Sequence, residues 1–187
     1  MGAALKEFGE KSYGEASLNT ICKEGEISKG IIYHYFRDKD DLFLACVQDC
    51  FETLTLYLRK QVRIDGICVE EVLKQYFDTR IVFFHENPEY RKVFYSAVIT
   101  PPPHLVKAIG ELRKEFDALN VSILTGLLEK VPLRDGMSID EVIRIFGIFQ
   151  DLLNTRYQVY DQTDIGEHEK LCGQILEILL YGVIGRR

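Results

Sequence analysis

An all-α fold is predicted by three features of the chain. Apolar residues recur at three- and four-residue steps through most of its 187 residues, no segment sustains the alternation of a strand, and caps, glycines and prolines punctuate the helical runs. That length buries a sizeable core in one domain beside a small module. The first run, AALKEFGEK, starts almost at Met1 and carries Phe8. Ser17 then caps a short helix whose stripe is Leu18, Ile21 and Cys22. Gly25 suits a tight turn, and Ser28 caps the next helix, KGIIYHYF.

Asp38 caps a long helix in which Leu42, Phe43, Cys46, Val47, Cys50, Leu54 and Leu58 form the stripe, with Asp40 and Asp41 at its positive end. Asp65-Gly66 breaks that pattern, and a further helix runs from about Val69 to His85. Asn87-Pro88 opens a shorter one, PEYRKVFYSAVI, which Pro101-Pro102-Pro103 stops. One long helix is expected from about His104 to Glu129. Pro132 and Asp135-Gly136 make a loop, after which Ser138 and Glu141 form a capping box. The last two helices are expected from about Ile139 to Tyr160 and from Asp164 to Ile184. No internal repeat interrupts this succession.

The stretch from Ser17 to Phe43 carries the functional signal. In KGIIYHYF, Ile32 and Phe36 can face inward, which leaves Lys29, Gly30, Ile31, Tyr33, His34 and Tyr35 outside. Apolar atoms, hydroxyls, an imidazole and an ammonium group on one short face suit a major groove, where they meet thymine methyls, base edges and phosphates. By spacing alone the run is equally a plain helical hairpin.

Phe8, Ser12-Tyr13-Gly14, Ile21-Cys22, Ile27-Ser28-Lys29-Gly30, Ile32-Tyr33-His34-Tyr35-Phe36 and Lys39-Asp40-Asp41-Leu42 together resemble the N-terminal domain of the tetracycline-repressor (TetR) family. The resemblance covers roughly the first 50 residues. It implies a helix-turn-helix DNA-binding domain over 1–45, with its first helix shortened, and a regulatory ligand-binding and dimerisation domain over 46–187. It further implies a dimeric transcriptional repressor, with double-stranded operator DNA, a second copy of the chain and a small-molecule inducer as partners. By position in the motif, Lys29, Gly30, Ile31 and Tyr33 approach base edges, while Ser17, Asn19, His34, Tyr35 and Lys39 position phosphates. The family usually has Ala-Gly where this chain has Gly25-Glu26, so a negative charge stands near the groove.

Charge pulls the other way. The chain carries a net −6, and its first 45 residues hold six Lys and Arg against eight acids. A DNA-reading face normally needs more positive potential. An all-α ligand-binding or scaffold protein that has lost DNA binding is therefore the alternative reading.

The final two helices are apolar on two sides. Ile139, Val142, Ile143, Phe146, Phe149, Leu153 and Tyr157 form one stripe, and Ile145, Ile148, Leu152 and Val159 another. In the last helix Leu171, Ile175, Ile178 and Leu179 run beside Cys172, Leu176, Leu180 and Val183. Such helices are either central in one core or shared with a partner. The resemblance implies the latter, a homodimer sealed by a four-helix bundle, with Gly147, Gly173 and Gly182 permitting close approach. Between head and bundle, Tyr76, Phe77, Arg80, Phe84, Tyr95, Phe116, Asn120 and Phe149, with Phe83 and Tyr157, combine aromatic walls and polar handles as small-molecule sites do. Arg80 on an aromatic-rich helix calls for an anion or carbonyl if buried, Glu115 or Asp117 within the chain serving as well as a ligand.

Catalytic and metal signals are thin. Cys46 and Cys50 lie one turn apart without a second ligand pair at zinc spacing, so core packing explains them, and His34, His85, His104 and His168 are dispersed. No phosphate-cradling glycine loop or nucleophile elbow occurs, so neither an enzyme nor a cofactor or metal is expected. Five scattered cysteines fit a reducing cytoplasm better than a disulfide framework. No apolar run approaches the roughly 20 residues of a membrane span, and MGAALKEF has no signal-peptide core.

Overall fold

The computed structural model describes residues 1–64, 68–159 and 165–183. Asp65-Gly66, Tyr160, Asp164 and Ile184 lie outside the described residues, as do the side chains of Tyr157, Val159 and Val183. The described residues form α1 Gly2–Glu10, α2 Leu18–Glu24, α3 Lys29–Tyr35, α4 Lys39–Gln61, α5 Val69–Glu86, α6 Pro88–Val98, a 3-10 turn Pro103–Leu105, α7 Val106–Leu112, α8 Lys114–Leu128, α9 Ile139–Val159 and α10 Ile165–Val183. No strand occurs among them, and the class is all-α as predicted.

Caps decide where the early helices begin. Ser17 Oγ accepts from the Asn19 N–H at 3.2 Å, Ser28 Oγ from Ile31 at 3.3 Å, and Asp38 Oδ1 from Asp41 at 2.9 Å. Each satisfies an amide that the first turn of a helix leaves without an intrahelical acceptor. Further along, Ser138 and Glu141 close the expected box reciprocally: Ser138 donates its N–H to Glu141 at 2.9 Å, and the Glu141 N–H returns to Ser138 Oγ at 3.3 Å.

The single helix expected over His104 to Glu129 is instead a 3-10 turn and two helices, broken at Arg113. Arg113 has φ −85° and ψ −4°, and its N–H reaches back to Ile109 O. Gly110, three residues earlier, costs about 1 kcal/mol in a helix relative to Ala, which lowers the penalty for ending there. Apolar period alone does not reveal such a break.

The chain divides into two compact units: Met1–Thr55 with Phe83–Phe116, and Leu56–Val82 with Asp117–Arg187. In the first, Phe43, Cys46, Val47, Cys50 and Leu54 of α4 are fully buried at the predicted spacing. Gly9 of α1 faces α6, where a Cβ would stand in ordinary contact 3.5 Å from the Glu89 carbonyl. Phe94 of α6 sits against Phe51 of α4, Phe84 of α5 and Phe116 of α8, with centroids 5.1–5.7 Å apart. In the second unit Val142, Phe146 and Leu153 of α9 and Cys172 and Leu180 of α10 are buried. Gly173 serves this packing, because a Cβ there would lie 3.1 Å from the Phe77 ring.

The turn between α2 and α3 bends at a residue the glycine argument did not select. Gly25 is right-handed at φ −84°, whereas Glu26 takes φ +51°, the position where the family pattern has Gly. A side chain in the left-handed region costs roughly 1–2 kcal/mol. Glu26→Gly is therefore expected to raise stability by about 1 kcal/mol in urea unfolding, and Glu26→Ala, which keeps a Cβ, to leave the strain in place. Equal midpoints for Glu26→Gly and wild type would show that the turn stores no strain.

Candidate nucleic-acid interface

One residue, Ile32, holds α3 to the protein. It is buried, while Lys29, Gly30, Ile31, Tyr33, His34 and Tyr35 are all exposed, with Ile31, Tyr33 and Tyr35 at 46%, 53% and 74%. His34 and Tyr35 meet edge to face at 4.9 Å. Three large apolar or aromatic side chains standing in water on one turn-and-a-half of helix are costly for a structural element and suit a docking face. Gly30 adds a second point. A Cβ built there meets nothing closer than Ser28 Oγ at 3.6 Å, so the protein's own packing does not demand glycine.

Around this helix the expected phosphate contacts fall on three elements. Ser17 is half-buried at the start of α2 and Asn19 is exposed beside it. Lys39, at the start of α4, lies over the Tyr13 ring, 4.7 Å from its centroid, with Nζ 3.5 Å from the Gly14 carbonyl.

Pairing explains much of the acidic head. Glu7 pairs with Lys11 at 2.9 Å, Glu24 with Lys6 at 3.5 Å, and Asp41 with Arg37. These pairs neutralise charge locally, although exposed ones add little stability. Tyr13 donates its hydroxyl to Asp40, which also faces His104 at 3.1 Å. The Tyr13 and His104 contacts hold the Asp40 carboxyl below its usual range against the opposing effect of burial. Burial and Asp40 together push the Tyr13 phenol up. Among the head's acids, Glu26 is exposed in the turn before α3.

Glu7 escaped the sequence reading. It is only 4% exposed, yet its Oε1 accepts from the Ser17 N–H at 2.8 Å and from Lys11 Nζ at 2.9 Å, so it fastens α1 to the start of α2. Burial raises its pKa, but the Lys11 and Ser17 hydrogen bonds and the charges of Lys11 and Lys39 outweigh that and hold it below the ordinary glutamate value. Its i,i+4 spacing to Lys11 was visible; the Ser17 N–H as a donor to it was not.

The eight expected ligand contacts separate. In the second unit, Tyr76 donates its hydroxyl to Asn120 Oδ1 at 2.6 Å and accepts from Arg80 Nη1 at 3.3 Å, while Phe77 lies edge-on to Tyr76 at 5.1 Å. Arg80 is buried. Phe149 stands on an exposed part of α9 beside Ile148 and Leu152. Phe84, Tyr95 and Phe116 belong to the first unit, all three with rings against Phe94. A solvent-open groove of about 480 Å³ in the second unit is lined by other residues, Tyr57, Lys74, Asp78 and Val82 among them. Cys46 and Cys50 are core residues: burial pushes the Cys46 thiol up to about 12, and Cys50 Sγ donates to the Tyr90 carbonyl at 3.4 Å. No helix among the described residues is long and apolar enough to cross a membrane.

Comparison with known proteins agrees with this geometry. Residues 1–46 match the model for bacterial regulatory proteins of the tetR family, and residues 67–180 that for the tetracyclin repressor-like C-terminal domain. The HTH-type transcriptional regulator HbdR of Aromatoleum sp. (strain CIB) is 32% identical over 62 residues, 33% of this chain and 27% of HbdR. The chain likewise spans only 29% of AcuR from Cereibacter sphaeroides, to which it is 36% identical over 64 residues, 34% of this chain. The nucleoid occlusion factor SlmA of Glaesserella parasuis is 22% identical over 92% of this chain and 85% of its own. Among solved structures, the fatty acid degradation regulator FadR of Bacillus halodurans superposes with a TM-score of 0.71 at 22% identity, covering 94% of both chains. FadR of Bacillus subtilis in complex with stearoyl-CoA gives 0.74 at 18% identity, covering 97% of this chain and 96% of its own. Such identities speak for the fold alone. The helix-turn-helix head with its outward α3, followed by a C-terminal region that matches its own family model, makes this chain a member of the TetR family of DNA-binding transcriptional regulators.

Proposed function

We propose that the protein is a homodimeric repressor whose α3 helices read operator DNA and which a small hydrophobic or aromatic ligand releases. The observation that carries this reading is α3 itself, anchored by Ile32 alone and otherwise turned to solvent. Residues 1–45 serve as the DNA-reading part and 46–187 as the regulatory part. Lys29, Gly30, Ile31 and Tyr33 face base edges; Ser17, Asn19, His34, Tyr35 and Lys39 face phosphates. Gly30 is then explained by close approach of the DNA rather than by internal packing.

Two substitutions test this on a duplex selected by the wild-type protein from a random-sequence pool. Gly30→Ala leaves the fold at least as stable, since Ala is the better helix former, yet is expected to weaken binding about tenfold or more, a discrimination of the size base contacts provide. Lys39→Ala weakens binding to all sequences and flattens the dependence of log affinity on log salt by about one unit per protomer. Unchanged affinity and salt slope in both variants would sink the docking arrangement.

The ligand reading rests on the hydrogen bonds that join Tyr76 to Asn120 and Arg80, with Phe77 edge-on to Tyr76. A greasy molecule bearing a carbonyl or acid group complements a buried guanidinium among aromatic rings. The stearoyl-CoA bound by one structural neighbour is of this kind. Phe149 fits the dimer seam better than this pocket, given its exposure beside Ile148 and Leu152. Release from DNA requires that operator and inducer weaken each other's binding by the same factor, typically 5–150-fold. Calorimetry of stearoyl-CoA or a free aromatic acid, with and without the duplex, reads that factor, and equal affinities would exclude the molecule as inducer.

A further inference from the structure

We propose that His104, far from α3 in sequence, is a positioning residue for DNA binding that acts through Asp40 and Tyr13 on Lys39. The inference rests on the reading of Lys39 as a phosphate contact. Tyr13 is the platform. Phe8 stacks on its ring with centroids 6.3 Å apart, Phe43 meets it edge-on at 5.1 Å and His104 at 5.7 Å, and its hydroxyl is spent on Asp40. Lys39 lies over this ring with its ammonium 4.7 Å from the centroid. A lysine held on a fixed aromatic face gives up less rotamer freedom when it meets a phosphate than one moving freely in water.

His104 completes the arrangement in two ways. Its Nε2 stands 3.1 Å from Asp40 Oδ2 while Tyr13 takes Oδ1, so both carboxylate oxygens are engaged. Two partners thus fix the carboxylate in place, so that it does not swing onto the neighbouring ammonium, which must stay available for phosphate. Second, His104 comes from a stiff mount. Pro101, Pro102 and Pro103 lock their own φ angles, the Leu105 N–H bonds to the Pro102 carbonyl at 2.8 Å, and Leu105 is buried. A shift of the segment between α6 and α7 is thus transmitted to the first turn of α4, where Lys39 sits.

The test uses the full chain and the duplex selected by wild type from a random-sequence pool. His104→Ala is expected to weaken binding about three- to tenfold and to flatten the salt slope as Lys39→Ala does, as loss of one phosphate contact per protomer implies. His104→Gln, which keeps an N–H for Asp40, restores most of the slope. The double variant His104→Ala/Lys39→Ala binds no worse than Lys39→Ala alone, because the two act on one contact. If Lys39→Ala flattens the slope and His104→Ala does not, whatever happens to the melting temperature, the positioning role is overturned and the docking arrangement stands. If Lys39→Ala itself leaves the slope unchanged, Lys39 is no phosphate contact and this role falls with it, while Gly30→Ala still decides the docking arrangement. Additive losses in the double variant also overturn it.

Discussion

Ile148→Glu is expected to turn the protein into folded monomers that bind DNA at least a hundredfold more weakly. Ile148 and Leu152 of α9 and Ile178 of α10 are 62%, 60% and 69% exposed, whereas Val142, Phe146, Leu153, Cys172 and Leu180 on the same two helices are buried. An apolar face of this kind, outside the chain's own core, is what a second copy covers in the proposed dimer. In a two-fold interface each substitution counts twice. Burying one isoleucine is worth about 1.5–3 kcal/mol, and a buried carboxylate without a partner adds a larger penalty. The affinity follows from geometry: two heads on one dimer engage half-sites about 34–36 Å apart, and linkage of this kind strengthens binding by roughly 10²–10⁴. Leu176→Glu is the less clean experiment, because Leu176 is half-buried within its own chain. Sedimentation velocity at micromolar concentration gives the oligomeric state, with circular dichroism to show that the variant is helical. A wild-type monomer at that concentration would end the dimer model.

What could be read beforehand, and what could not, follows from the range of the interactions. The starts at Ser17, Ser28, Asp38 and Ser138 were legible because each cap bonds within three residues of itself. The α4 stripe was legible because burial on one face imposes a local period. Two-sidedness of α9 was equally plain, but which stripe turns inward was not: Ile148 and Phe146 are both apolar, and only tertiary packing chooses between them. The left-handed Glu26 has one signal in the sequence, the Gly that the family pattern places there. Glu7 with Ser17, and Asp40 with His104, had no local signal at all. A buried acid looks like any solvated acid until the fold brings its partners.

Glu7 gives the prediction with the largest effect on stability. Glu7→Ala leaves the Ser17 N–H without its acceptor and Lys11 without its counter-charge at the joint between α1 and α2. Orphaning a buried donor costs about 1–3 kcal/mol, and breaking a buried charged pair up to about 3–5. Because Lys11 is partly solvated, a loss of about 2–3 kcal/mol is expected. Glu7→Gln keeps an acceptor for Ser17 and separates the hydrogen bond from the charge. The sign of the pH dependence follows from the lowered pKa. A carboxyl bound more tightly as its anion in the fold contributes stability above its unfolded pKa, about 4.3 for glutamate, and loses it as pH falls through the lower folded value. Asp40 and Asp41 are lowered as well and melt out in the same acid window, so the useful quantity is the difference between wild type and Glu7→Gln. Urea midpoints at pH 7 should favour wild type, and the gap should narrow as pH falls below about 4.3. A gap of constant size across that range would mean that packing, not the charge of Glu7, holds α1 against the start of the helix-turn-helix.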